Sequence, residues 1–430
     1  MAAAKPSPKL LKERSTWAGA VFGLWIGALY AVVIAGRIVV RGETEGVFHI
    51  AALVAAILWP LGYFLFSRNR FIPGKIRTGS LVALAVFLLF CLLSSFGSPV
   101  TLNSVSFTVL TLAGVWIALQ FISCMDGAQF ETGLKVYALV IIAVLLAFAA
   151  YDYVPGTRLG EGRKVLNPNA IAMVSISAAL CSMAIRNWLL RYGLMMAVFV
   201  VLYLTGSRAS SLATLIGLAV IGYERTRSGG GNVKILVLLG LAMGIGALAV
   251  FWDTVWPAIE GFLQLKSRHR GIESGASGRS IVWNETWQLF LDNPAFGIGF
   301  RAHETILGVS AHNGYLAMLA EIGIAGFVAI LYLILSGIFL LWRKVRQPEW
   351  TFSHSILFGL CCGYLFLAMF ERFLINVGNP TSLLFLVATL AAVGKAPRPA
   401  FAYGSFSQTA RMGVRATRND AAFSPGSTSR

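Results

Sequence analysis

Long apolar runs recur along most of the chain, separated by short polar segments. A transmembrane helix needs about 20 apolar residues to cross roughly 30 Å of hydrocarbon. The clear candidates are the runs 16–36, 47–66, 80–97, 105–123, 134–151, 233–252, 322–342 and 354–374. Shorter runs, which need tilt or flanking residues to complete a span, are 168–185, 188–205, 209–223 and 380–394. The pattern predicts an all-α polytopic membrane protein with about twelve transmembrane helices.

The runs divide the chain into five predicted parts. They are a cytoplasmic N-terminus (1–15), transmembrane helices one to nine (16–252), a larger outer loop (253–311), helices ten to twelve (312–394) and a basic, disordered cytoplasmic tail (395–430). The first apolar run is longer than the core of a cleaved signal peptide, so we expect it to be retained as a membrane anchor.

Composition agrees with a membrane protein and excludes other classes. The chain is 57% hydrophobic and 12% charged, with a mean hydropathy of +0.74, whereas a soluble domain carries roughly 25% charged residues. This excludes an ordinary soluble enzyme and an intrinsically disordered protein. The five cysteines lie in or beside apolar runs without CxxC spacing, which excludes a disulfide scaffold and a zinc site.

The distribution of basic residues predicts the orientation. The net charge is +17, but the basic residues lie in short segments between apolar runs, which indicates membrane topology rather than nucleic-acid binding. With a cytoplasmic N-terminus, 23 of the 35 Lys and Arg fall on inner segments and 12 on outer ones. We therefore expect both termini in the cytoplasm and the 253–311 loop in the periplasm.

The outer loop contains one predicted helix. It follows a Gly/Ser-rich basic stretch and covers residues 279–291, ending at Asp292-Asn293-Pro294. Arg279, Trp283 and Trp287 are spaced four apart and share a face. The pattern is typical of an amphipathic helix that lies on the membrane surface.

Four outer polar groups are candidates for chemistry. Arg163 precedes the start of a span, for which Asn167 is a candidate N-cap, and Arg208 lies in a tight reversal between two spans. Arg279 begins the predicted helix of the outer loop, and His312 directly follows that loop. Taken singly, such arginines are more often anchors that reach the membrane interface, and a histidine at a helix start can be structural. Together, guanidinium groups at one membrane face can bind a phosphate or diphosphate bidentately. No outer carboxylate pair is spaced to hold a divalent cation, so we expect no metal and no cofactor.

Other residues are weaker candidates for a functional site. Gly297 and Gly299 form a lone GxG without a preceding strand, so a nucleotide loop is disfavoured. The remaining histidines, His49, His269, His303 and His354, show no partner spacing and are treated as background.

The segments GRSIVWNETWQLFLDNPAFGIGF and SAHNGYLAMLAEIGIAG resemble the signature region of bacterial O-antigen ligases and the related polysaccharide polymerases. TGSRASSLATLIG and RKVLNPNAIA resemble earlier landmarks of that superfamily. The specific resemblance covers roughly residues 150–345.

The resemblance implies a membrane-embedded GT-C-type glycosyltransferase at the periplasmic face of the bacterial inner membrane. Such enzymes move a glycan from undecaprenyl diphosphate to an acceptor hydroxyl without metal, with inversion. By resemblance, Arg208 and Arg279 bind the donor diphosphate, Arg163 is a further contact, and His312 is the general base. Asn313 and Glu321 are supporting residues. The implied partners are the lipid-linked oligosaccharide, an acceptor glycan, membrane lipid and other assembly proteins (a flippase and a chain-length regulator), with no nucleic acid.

Three alternatives stay open. A ligase transfers to lipid A core and a polymerase to another lipid-linked repeat; the short outer loop, with few basic residues for a phosphate-rich core, favours an exopolysaccharide or O-antigen polymerase. The alternatives from other functional classes are a flippase of lipid-linked sugars and a non-catalytic scaffold.

His312 and Glu321 are nine residues apart, on opposite faces of a straight helix. Glu321 therefore assists His312 only if the segment bends, at Gly314 or Gly323; otherwise it is structural.

Overall fold

A computed structural model describes residues 8–39, 54–66, 76–228, 279–347, 352–372 and 374–394. The predicted span 233–252, the loop segment 253–278 and the tail 395–430 lie outside the described residues.

The described residues are mostly helical. The helices are α1 (Pro8–Val39), α2 (Leu61–Phe66), α3 (Thr78–Phe96), α4 (Thr101–Cys124), α5 (Gly127–Asp152), α6 (Pro168–Ser182), α7 (Trp188–Thr205), α8 (Arg208–Ser228), α9 (Arg279–Asp292), α10 (His303–Leu307), α11 (Gly314–Val345), α12 (Phe352–Leu367) and α13 (Pro380–Ala392).

Several of these helices are suited to a bilayer. Within the described residues, six are long and apolar enough to cross a membrane: α1, α3, α4, α5, α7 and α11. Helices α6, α12 and α13 are apolar but shorter. Large apolar side chains such as Val82, Leu89, Leu335 and Phe339 are exposed on the outside of the bundle, where lipid would cover them. The protein is thus a multi-pass membrane protein, and the expected number of about twelve spans remains a prediction.

Glycines allow neighbouring helices to pack closely. Gly19 and Gly23 of α1 lie against Gln129 and Gly133 of α5, so the two helices run in the same direction. A Cβ at Gly19 would collide with the Gln129 carbonyl. Helices α8 and α12 pack antiparallel to each other, with Gly217 against Gly359. Small residues at such contacts let apolar helices approach without a hydrophobic driving force.

Polar caps fix where several helices begin. Asp126 and Gln129 form a reciprocal capping box at α5. Asn167 caps α6, as the sequence indicated, by accepting from the Asn169 amide. Gly206 takes a left-handed conformation at the reversal between α7 and α8, a backbone state that glycine adopts at little cost.

The ends of α6, α8, α11, α12 and α13 meet at one end of the bundle, which we call the site end. The Gly314 amide at the start of α11 donates to the Ala368 carbonyl just beyond α12 (2.8 Å). The Thr381 hydroxyl at the start of α13 donates to Met173 in α6 (2.8 Å). At the far end, Arg227 of α8 donates to Val345 of α11 (3.2 Å).

Helix α11 contains a kink at Gly323, whose φ of 68° is not helical. The kink is stabilised by residues 294–299. The Ile298 and Gly299 amides donate to the Ala320 and Glu321 carbonyls (3.0 and 3.1 Å), and the Ile324 amide donates to Pro294 (2.9 Å). Backbone groups released by a kink need such partners in an apolar surrounding. The GxG at 297–299 is therefore a structural contact in this fold.

Candidate functional site

A polar cavity of about 350 Å³ lies at the site end. Three chain segments form it: the start of α6, α10 with the α10–α11 connection, and the segment between α12 and α13. Its lining residues are Asn167, Asn169, Ala170, Met173, Glu304, Gly308, Val309, Ser310, His312, Glu371, Arg372, Asn376 and Asn379. Concave sites of this volume are common ligand-binding sites.

His312 lines the cavity in an unusual backbone conformation. Its φ is 47°, in the left-handed region that few non-glycine residues adopt. The following residue, Asn313, caps α11 by accepting from the Tyr315 and Leu316 amides (3.2 and 3.1 Å). On the other side, the Trp283 indole of α9 donates to the Ala311 carbonyl (2.7 Å). Both neighbours of His312 are therefore held in place.

The His312 imidazole is suited to accept a proton. Burial is the largest cause that lowers its pKa from the ordinary 6.5, followed by the positive charges of Arg279 and Arg372; Glu304 acts in the opposite direction. Among the described residues, nothing hydrogen-bonds its buried Nδ1. A neutral imidazole is the form that a general base requires near neutral pH.

Charged side chains surround His312 in the cavity. Arg372 Nη1 donates to Glu304 Oε1 at 2.8 Å. Burial opposes ionisation of Glu304, but Arg372 outweighs it, and the Glu304 pKa lies below its ordinary value. Glu371 lies beyond the end of α12 and is 5% exposed. Burial raises its pKa to about 7, with Arg372 and Arg279 acting against the rise.

None of the three predicted arginines lines the cavity. Arg279 is the first residue of α9 and lies close enough to affect the pKa of both His312 and Glu371. Arg208 is the first residue of α8, at the site end, and does not line the cavity. Arg163 also lies outside the lining; its backbone amide donates to buried Asp152 (3.1 Å) and its guanidinium stacks over Tyr151.

Glu321 contacts a histidine other than His312. Its carboxylate pairs with His303 Nδ1 at 2.6 Å, and both side chains are fully buried. The sequence interpretation of His303 as background is corrected, since the kink at Gly323 and the turn at 297–302 place it against Glu321. The bend in α11 follows Glu321 in the chain, so it does not direct that side chain to His312. Glu321 is a structural residue in this geometry.

Several cavity residues were missed by sequence reasoning. Glu371 and Arg372 fell inside the predicted span 354–374, although α12 ends at Leu367. Asn379, followed by Pro380, repeats the Asn167-Pro168 pattern that was used for α6. The repeated Asn-Pro pattern could have identified Asn379 as a second helix cap. Within the described part of the chain, no three His, Cys, Asp or Glu side chains are grouped to hold a metal ion.

Comparison with known families finds one match. Residues 193–331 match the family model described as O-Antigen ligase. The matched segment, about a third of the chain, contains Arg208, Arg279, His303, His312 and Glu321. No curated protein matches the chain.

Proposed function

We propose that this chain is a membrane glycosyltransferase of the ligase/polymerase superfamily, because residues 193–331 match the family model described as O-Antigen ligase. It transfers a glycan from an undecaprenyl-diphosphate-linked donor to an acceptor hydroxyl, without metal and with inversion. The reaction takes place at the periplasmic face of the bacterial inner membrane.

One observation carries this proposal: His312 lines a polar cavity, where burial and the charges of Arg279 and Arg372 lower its pKa. His312 accepts the proton of the acceptor hydroxyl as its oxygen attacks the anomeric carbon. The bond from that carbon to the diphosphate oxygen breaks, and the diphosphate leaves with the electron pair. Arg279 lies beside this step and stabilises the leaving charge, with Arg208 and Arg163 as further contacts at the site end.

The preferred reaction is polymerisation of exopolysaccharide or O-antigen repeats. The predicted 253–311 loop carries five basic residues, Lys266, Arg268, Arg270, Arg279 and Arg301, and this small number for a phosphate-rich core favours a repeat-unit acceptor. Ligation to lipid A core is the second candidate, favoured by the description of the matched family. A null mutant separates the two: accumulated single repeats indicate a polymerase, and free polymer without long chains on lipid A indicates a ligase. Repeats trapped inside the cell would instead indicate a flippase.

The catalytic test is the variant His312→Ala in the purified full chain. We expect transfer from the lipid-linked donor to fall by about 10² to 10⁴, the usual contribution of a general base, while donor binding is retained. The matched control is His354→Ala, in the first turn of α12 at the far end, which should transfer at the wild-type rate. Full transfer by His312→Ala would exclude the general-base role and favour a scaffold.

A further inference from the structure

Four asparagines line the cavity that contains His312: Asn167, Asn169, Asn376 and Asn379, which we call the amide wall. Asn167 and Asn379 each cap a helix whose first residue is proline. Asn167 and Asn379 therefore line the cavity from equivalent positions, at the starts of α6 and α13.

The carboxamide oxygens of the amide wall are all engaged by groups that can only donate. The bonds are Asn169 amide to Asn167 (2.8 Å), Thr381 and Ser382 amides to Asn379 (3.0 and 3.3 Å), Gly378 amide to Asn376 (3.0 Å), and Arg158 Nη2 to Asn169 (3.4 Å). These partners fix which side of each carboxamide is oxygen and which is nitrogen. Nowhere in the described residues does a group accept from the four Nδ2 atoms. The wall thus offers hydrogen-bond donors to the cavity.

The same cavity also offers acceptors. Glu304 and Glu371 contribute carboxyl oxygens, while Arg372 is already paired with Glu304 at 2.8 Å. The lining therefore has no excess of positive charge. A diphosphate, which is anionic and has only acceptor oxygens, is poorly matched to two carboxyl groups. A sugar, whose hydroxyls both donate and accept, is matched to amide donors on one side and carboxyl acceptors on the other.

We propose that this cavity binds the acceptor sugar, with the amide wall donating to its oxygens and Glu304 and Glu371 accepting from its hydroxyls. The donor diphosphate then lies outside the cavity, on the side of Arg279. The proposal rests on the proposed function for the identity of the reacting hydroxyl. It adds the chemical class bound beside His312 and the residues that select it.

Asn-to-Asp variants test the amide wall because aspartate keeps the cap and removes the donor. Both residues are good N-caps, so Asn379→Asp and the more exposed Asn167→Asp should fold. The matched control is Asn187→Asp, at the cap of α7 away from the cavity. In steady-state transfer, we expect the KM for the acceptor to rise about tenfold or more in both wall variants. The KM for the donor should stay within about twofold of wild type.

Direct binding distinguishes this proposal from the proposed function. The probe is an oligosaccharide released from the strain's own surface polysaccharide, added to the full chain in nanodiscs. Wild type and His312→Ala should bind it, both wall variants should bind about tenfold more weakly, and inorganic pyrophosphate should not displace it. Displacement by pyrophosphate, equal binding by the wall variants, an equal loss in Asn187→Asp, or no binding at all would overturn the inference. Full transfer by His312→Ala would instead overturn the proposed base while leaving the binding result interpretable.

Discussion

His312 combines backbone strain with an unsatisfied ring nitrogen. A non-glycine residue in the left-handed region costs of the order of 1 kcal/mol or more, and an unpaired buried nitrogen adds about 1–3 kcal/mol. The structure offsets this cost on both sides, through the Asn313 cap and the Trp283 bond to Ala311. Strain held in place around one titratable side chain is typical of a functional position.

The charge of Arg279 sets part of the pH dependence of His312. A nearby positive charge disfavours the imidazolium, so it lowers the His312 pKa and keeps the base neutral at lower pH. The acid limb of kcat/KM should therefore lie below 6.5, the ordinary histidine value. In Arg279→Gln, the lost charge should raise this pKa and move the acid limb to higher pH. The measurement is a pH–rate profile normalised to each variant's own maximum.

Arg279→Lys is the control for that profile. Lysine keeps the positive charge but loses the planar fork that binds phosphate oxygens. We expect weaker donor binding with an acid limb close to that of wild type. An acid limb that stays in place in Arg279→Gln would show that the Arg279 charge does not contribute to the His312 pKa.

Helix α9 positions the segment that carries His312. Sequence spacing placed Trp283 and Trp287 on one membrane-facing surface, but only Trp287 is exposed (42%). Trp283 turns inward and donates to Ala311 at 2.7 Å. Trp283→Phe keeps the ring and removes the donor, so the protein should fold while kcat falls about tenfold or more through misplacement of His312.

The comparison for this variant is Trp287→Phe, one turn further along α9. It makes the same chemical change on the exposed side and should leave kcat within about twofold of wild type, measured as initial rates of glycan transfer. Equal loss in both variants would indicate that α9 contributes only general packing.

The helices show how far sequence patterns predict this fold. Apolar periodicity located α3, α4, α6, α7 and α13 within about four residues at both ends, because burial in lipid and protein imposes one pattern on them. Helices α1, α5 and α11 begin seven or eight residues before the predicted runs, in segments where polar residues interrupt the apolar pattern. Periodicity extended α12 to residue 374, since the apolar side chains continue after the helix ends at Leu367. The Glu321–His303 pair was not predictable by spacing, because it depends on the non-helical Gly323 and the backbone bonds of 298 and 299.

The cavity was only half predictable for a related reason. Asn167 could be found because Asn followed by Pro is typical of a helix start, and His312 because it lies in the segment that resembles the O-antigen ligases. Asn376, Asn379 and Glu371 reach the same cavity from a segment more than 50 residues further along the chain from His312. The packing of α13 against α6, through Thr381 and Met173, and the bond from the Gly314 amide to Ala368 bring the two halves together.

The bundle has two chemically different ends, and this difference predicts its orientation. At the far end, basic residues cluster where α8 and α11 finish: Arg225, Arg227, Arg343, Lys344 and Arg346. Arg225, Arg343 and Arg346 are exposed there, and Arg227 pairs with Glu224 (2.8 Å). At the site end, Arg158 lies beside Glu161 and Arg372 pairs with Glu304. A basic cluster beside span ends is what retains a segment in the cytoplasm.

Cysteine labelling in intact spheroplasts tests this orientation. Thr157→Cys lies in an exposed loop at the site end, and Gln347→Cys is exposed just beyond α11 at the far end; each is made in a chain whose native cysteines are replaced by alanine. A membrane-impermeant maleimide should label Thr157→Cys in intact cells and Gln347→Cys only after permeabilisation. The reverse pattern would place the His312 cavity in the cytoplasm, where a nucleotide sugar rather than a translocated lipid-linked glycan is the available donor.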